Sequence, residues 1–208
     1  MTTNQDFKNQ KYCVIHSAVS KDICDIITQY SFFEEMQNLK LKGDSQVPNS
    51  ISKYGDPAME ALLAYLHPQM EQATGLKLIP TYSYFRIYSN GDDLKAHTDR
   101  HSCEISATLC FNYSYDDSRY TWPIFMDGKP ITLQPGDMAV YKGMEIPHWR
   151  SAFDIDEPDS WQVQGFFHYV DADGPHKGWA FDKRESLGQL TRISENQSPK
   201  SYIEFTKD

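Results

Sequence analysis

Basic residues are scarce in this chain. Twenty Lys and Arg stand against 29 Asp and Glu, a formal net charge of −9 over 208 residues. Nucleic-acid affinity rests on clustered Lys and Arg that neutralise phosphates, so a nucleic-acid backbone is not the expected main partner. Long apolar runs are missing as well. No stretch approaches the roughly 20 residues a membrane helix needs, and the polar residues 1–11 lack the apolar core of a secretory leader. Cysteine is sparse: Cys13, Cys24, Cys103 and Cys110 show no Cys-x-x-Cys spacing. Free buried thiols in a reducing cytoplasm are the simplest reading. There is no internal repeat and no low-complexity tract, and the acidic run 154–159 reads as a solvated loop.

Aromatic residues are plentiful, with 13 Tyr, 11 Phe and 4 Trp, which suits strands packed on a broad core. A chain of this length is expected to form one domain with a substantial core of its own. Its pattern divides it into a helical buttress over 1–75, a strand-rich core over 76–171 and an extension over 172–208. Residues 11–16 read as a strand. Ser20 can cap a helix over 21–30 whose apolar face is Ile23, Ile26 and Ile27. Residues 40–55, rich in Ser, Gly, Asn and Lys, read as a mobile loop. A second helix starts with Asp56 as N-cap and Pro57 in its first turn and stops before Gly75. Leu62, Leu63, Leu66 and Met70 form its stripe, and Pro68 is expected to kink or split it. In the extension, Trp179, Phe181, Tyr202, Ile203 and Phe205 supply enough apolar surface to pack back, with a frayed end.

From Leu76 onward short strands and turns replace helical periodicity, as in a sandwich or jelly roll. One strand is especially legible. Cys103, Ile105, Ala107, Leu109 and Phe111 alternate with Glu104, Ser106, Thr108, Cys110 and Asn112, giving one apolar and one mostly polar face. The apolar face is expected against the helices. The polar face, Thr108 and Asn112 above all, is expected toward a pocket, because of what precedes it.

That preceding feature is His97-Thr98-Asp99. On a strand, residues two apart point to one face, and a third ligand from a later antiparallel strand would complete a two-histidine, one-carboxylate facial triad, the arrangement that holds Fe(II) with open positions. The surroundings strengthen a short match. Tyr84-Phe85-Arg86-Ile87-Tyr88 runs into an Asn90-Gly91 turn just upstream. Downstream, Pro135-Gly136-Asp137 feeds a strand that is followed by Gly143 and Pro147-His148. This order of strand, turn, His-x-Asp, strands, Pro-Gly-Asp turn, strand and His resembles the Fe(II)- and 2-oxoglutarate-dependent dioxygenases, in particular their prolyl-4-hydroxylase-like branch, over roughly residues 80–171.

The resemblance implies a mainly β (α+β) fold, a double-stranded β-helix (jelly roll, cupin-like) with N-terminal helices packed on its major sheet. It implies His97, Asp99 and His148 as metal ligands, with Fe(II), O2 and 2-oxoglutarate as cofactor and co-substrates and ascorbate as a supporting reductant. The carboxylate of Asp99 points to hydroxylation rather than halogenation, and the substrate would be a peptide or a small molecule. His168 could be a ligand by chemistry alone, but the turns before His148 fit the family order better. The far carboxylate of 2-oxoglutarate needs a fixed cation. The family's base about ten residues past the second His is absent here, since no Lys or Arg lies between Arg150 and His168. Arg150, on the face of His148, is the first candidate and Arg86 the second. Tyr88 stands where these enzymes carry a tyrosine that contacts the co-substrate, and Asn112 is a further candidate contact. Two other readings stay open: a cupin-like metalloenzyme that does not use 2-oxoglutarate, and a non-catalytic jelly-roll module with a structural ion.

Overall fold

The computed structural model describes residues 3–38, 41–115 and 120–189. Three helices come early: α1 (Thr3–Gln10), α2 (Lys21–Gln37) and α3 (Pro57–Thr74). Strands β1 (Tyr12–Ile15) and β2 (Ile51–Tyr54) are interleaved with them. The eight remaining strands are β3 (Leu78–Ser89), β4 (Leu94–His97), β5 (Ile105–Ser114), β6 (Ile124–Met126), β7 (Lys129–Ile131), β8 (Met138–Lys142), β9 (His148–Arg150) and β10 (Trp161–Asp171). They form an antiparallel six-stranded sheet in the order β1-β8-β5-β10-β3-β2 and an antiparallel four-stranded sheet in the order β4-β9-β6-β7. This is the jelly-roll architecture expected from the sequence.

The local chemistry explains the helix ends. Ser20 Oγ accepts from Ile23 N at 3.4 Å, and Asp56 Oδ1 accepts from Ala58 N and Met59 N at 2.9 and 3.2 Å. Gly75 closes α3 in the left-handed region at φ 74°, where a side chain would be strained. The stripe Leu62, Leu63, Leu66 and Met70 is buried with Ile105, Ala107, Leu109 and Phe111 in one cluster between the helices and the larger sheet.

Three expectations are corrected, and one helix is added to them. A helix forms at Thr3–Gln10, anchored by Phe7, which is buried with α3 residues. Helix α2 continues past residue 30 to Gln37, because Tyr30 and Phe32 still pack against the same core. Pro68 does not split α3: it is exposed, and the buried residues on both sides of it keep one helix on one sheet. Residues 51–54, placed in a mobile loop by composition, form the edge strand β2, paired from Ile51 opposite Ile87 to Tyr54 opposite Tyr84. Of the extension, Phe181 is buried and Trp179 half-buried, and Arg184 Nη2 binds Glu60 Oε1 at 2.6 Å in the interior. Tyr202, Ile203 and Phe205 lie outside the described residues.

Candidate metal centre

Antiparallel pairing sets His97 of β4 directly opposite His148 of β9, and their rings lie 4.3 Å apart. Each imidazole is fixed by its own strand. His97 Nδ1 lies 2.8 Å from Lys95 O and His148 Nδ1 2.9 Å from Ile146 O. A carbonyl can only accept, so each Nδ1 carries the proton and each Nε2 presents a lone pair. Both Nε2 atoms face Asp99 Oδ1, at 3.7 Å from His97 and 3.5 Å from His148. One ion about 2 Å from each atom would bridge such separations, and two imidazoles with one carboxylate is the donor set of an open Fe(II) site. The residues fit the metal.

Asp99 is held from behind. Its backbone N–H donates to Gly143 O at 2.8 Å, and its Oδ2 accepts from Ser106 Oγ at 2.9 Å. The turn at Gly143 comes so close that a β-carbon there would run into Cys103 O, Asp99 Oδ2 and Ser106 Oγ. Burial alone would raise the Asp99 carboxyl, but His148 and the Ser106 hydroxyl hold it below its ordinary value. Ser106 lies on the polar face of β5, so strand parity alone could have identified it.

His168 of β10 sits behind this layer, its Nδ1 2.9 Å from Ser106 Oγ. Burial pushes it down to about 4, so it is neutral near pH 7. Asp99, Cys103 and His168 form a second grouping compact enough for an ion. There the thiol of Cys103, pushed up to about 12 by burial, pairs with the Tyr82 hydroxyl at 3.1 Å, and Ser106 already engages both Asp99 and His168.

The triad opens into a cavity of roughly 110 Å³ between the two sheets. The larger sheet lines it with Tyr82, Tyr84, Arg86, Tyr141, Phe166 and His168, and the smaller sheet with Leu94, Ile124 and the two ligand histidines. Asp44 and Gln46 reach in from the segment before β2. Nothing in the sequence signals those two, since about 40 residues separate Asp44 from the strand it meets.

The two arginines differ in their surroundings. Arg86 lines the cavity. Its Nη2 donates to Asp44 Oδ2 at 2.7 Å and its Nη1 to the Tyr88 hydroxyl at 3.2 Å, while Nε has no partner. Burial opposes its charge, but Tyr88 and Asp44 more than offset it. Arg150 does not line the cavity. It is 2% exposed, lies over Trp122 with its guanidinium carbon 4.6 Å from the ring centre, and donates Nη1 to Trp122 O at 2.8 Å. Its Nε and Nη2 have no partner, and burial draws it below its ordinary value. The Tyr88 ring stands between the two, 5.3 Å from Arg86 and 6.0 Å from Arg150.

Asn112 does not join them. A bulge in the β5–β10 ladder pairs Val163 with Asn112 but Gln164 with Cys110. Directly opposed residues share a face, so Asn112 turns to the side of Val163, which belongs to the helix-side core, and its Oδ1 accepts from Tyr113 N at 2.9 Å. Thr108, before the bulge, keeps the inner face and accepts from Gln164 Nε2 at 2.7 Å.

No family model and no curated protein matches this chain in sequence. Its fold does match solved structures. A Pseudomonas putida prolyl-4-hydroxylase aligns with a TM-score of 0.62 at 18% identity, over 80% of this chain and 96% of its own. Iron-bound EctD from S. alaskensis gives 0.64 at 12% identity, over 81% and 75%. A prolyl hydroxylase from Trichoplax adhaerens, in complex with a hypoxia inducible factor peptide, gives 0.61 at 10% identity, over 82% and 88%. At these identities the likeness is one of fold, the double-stranded β-helix.

Proposed function

We propose that this chain is an Fe(II)- and 2-oxoglutarate-dependent oxygenase that hydroxylates an unactivated carbon, with His97, Asp99 and His148 as metal ligands. The observation that carries the reading is the convergence of two imidazole Nε2 atoms and one carboxylate oxygen at the wall of a cavity between the sheets. The fold supports it, since 2-oxoglutarate and iron accompany this architecture in solved neighbours, among them a viral collagen prolyl hydroxylase with 2-oxoglutarate and EctD with iron. When bound, such a metal would supply O2 activation coupled to decarboxylation of the co-substrate. The residues of the chain prepare its place. Lys95 O and Ile146 O fix the tautomers of the histidines, and Ser106 holds Asp99 from turning. Leu94, Ile124 and Phe166 give the cavity apolar walls that limit water around a reacting C–H.

For the far carboxylate of 2-oxoglutarate the reading takes Arg150, assisted by Tyr88. A buried guanidinium with two unpaired nitrogens, and no carboxylate partner among the described residues, is complementary to an incoming anion. Titration of Fe(II) into two variants tests the ligand set. His148→Ala should lose more than about 100-fold in affinity, whereas His168→Ala, which removes a neighbour of Asp99 and the Ser106 hydroxyl's partner, should lose about tenfold or less. Full affinity in His148→Ala with loss in His168→Ala would contradict the assignment.

A further inference from the structure

The segment 41–50 lays a carboxylate of the chain's own onto a cation in the cavity. Asp44 Oδ2 accepts from Arg86 Nη2 at 2.7 Å and from the Tyr84 hydroxyl at 2.9 Å. Its other oxygen is tied back to its own loop, accepting from Gln46 N at 2.9 Å and Val47 N at 3.0 Å. That tether limits the fit. Arg86 is 3% exposed and its Nε remains unpaired, so Asp44 engages one limb of a fork that could take both oxygens of a freely oriented carboxylate. The Asp44 side chain is 36% exposed and can swing outward, whereas Arg86 is fixed in the wall by Tyr88. Val47 is buried beneath it with Leu94 and Phe166, so the loop can stay seated while the Asp44 side chain moves.

We propose that Arg86 and Tyr84 form a carboxylate subsite for the primary substrate, held in the free chain by Asp44, which an incoming substrate carboxylate displaces. The substrate class is thereby a small molecule or peptide with a carboxylate near the carbon to be oxidised. The inference rests on the oxygenase reading in one respect, that Arg150 serves the co-substrate. An internal competitor lowers apparent affinity by the fraction of time it leaves the site free. Removing it should therefore tighten binding, the opposite of what loss of a binding residue does.

Calorimetric binding of propionate and benzoate, each against its carboxamide, to the full chain kept free of metal tests this. The unmodified chain should prefer the acids. Asp44→Asn should bind them about tenfold or more tightly, on the order expected if Asp44 occupies the site nine-tenths of the time. Tyr84→Phe, which leaves Arg86 in place, should weaken them several-fold, and Arg86→Gln should abolish the preference for acid over amide. Unchanged or weaker binding in Asp44→Asn would overturn the subsite. If 2-oxoglutarate itself tightens in Asp44→Asn and does not respond to Arg150→Leu, the subsite belongs to the co-substrate and the substrate assignment is overturned. Because the metal-free chain is measured, a failure to form succinate would count against the oxygenase reading alone, and indifference to the carboxylate would count against the subsite alone.

Discussion

Arg150 carries a charge that no carboxylate balances among the described residues, with two of its nitrogens unpaired in the interior. Such a group costs stability in the free chain and repays it only on binding an anion. Arg150→Leu should therefore raise the KM for 2-oxoglutarate about 30- to 150-fold, the equivalent of roughly 2 to 3 kcal/mol. It should leave Fe(II) affinity nearly intact and should not lower thermal stability. Steady-state kinetics with a melting curve checks both parts, and a marked drop in Tm with an unchanged KM would make Arg150 a structural residue. At this scale the sequence was partly legible. The spacing of His97 and Asp99 and the turns before His148 were sufficient to bring those three side chains forward. Asp44 was not legible, since its partner is 42 positions away and no local rule connects them. Asn112 was misplaced because strand parity was carried through a bulge that the sequence does not mark.

Strand β5 shows what patterning can and cannot deliver. Its alternation up to Cys110 places Leu109 in the helix-side core and Ser106 and Thr108 on the inner face, as a two-residue period requires. Past the bulge, Tyr113 takes the inner face in place of Asn112. Capping chemistry was equally readable at Asp56, Pro57 and Gly75, because these residues act locally. Strand β2 was not, because Ile51–Tyr54 gains its structure from pairing with β3. Two substitutions separate core from site. Leu109→Ala, at a fully buried position, should cost about 2 to 5 kcal/mol in denaturant unfolding and leave residual metal affinity near normal. Gly143→Ala should cost about 1 to 3 kcal/mol through overpacking and should also weaken metal binding, since the added carbon pushes on Asp99 and Ser106. Equal metal affinities in the two variants would mean that the turn at Gly143 does not position Asp99.

On the scale of the whole molecule, two stacked sheets bring together residues 44, 86, 97, 99 and 148, which no single element could assemble. The helices cover the outer face of the larger sheet, so its inner face and the smaller sheet are free to build the cavity. No helix among the described residues is long and apolar enough to cross a membrane. Against a net charge of −9, the cavity wall sets Arg86 beside the carboxylates of Asp44 and Asp99, and Arg150 is buried outside that lining. Under the proposed function, a metal at Asp99 and an anionic co-substrate at Arg150 would complement these charges. The most direct measurement is succinate formed when the full chain is incubated with Fe(II), ascorbate, O2 and 2-oxoglutarate, beside the variant Asp99→Ala. The account predicts slow, iron-dependent succinate from the unmodified chain, accelerated by a carboxylate-bearing substrate, and none above background from Asp99→Ala. Succinate formed equally by both proteins, or by neither in the presence of bound iron, would contradict it.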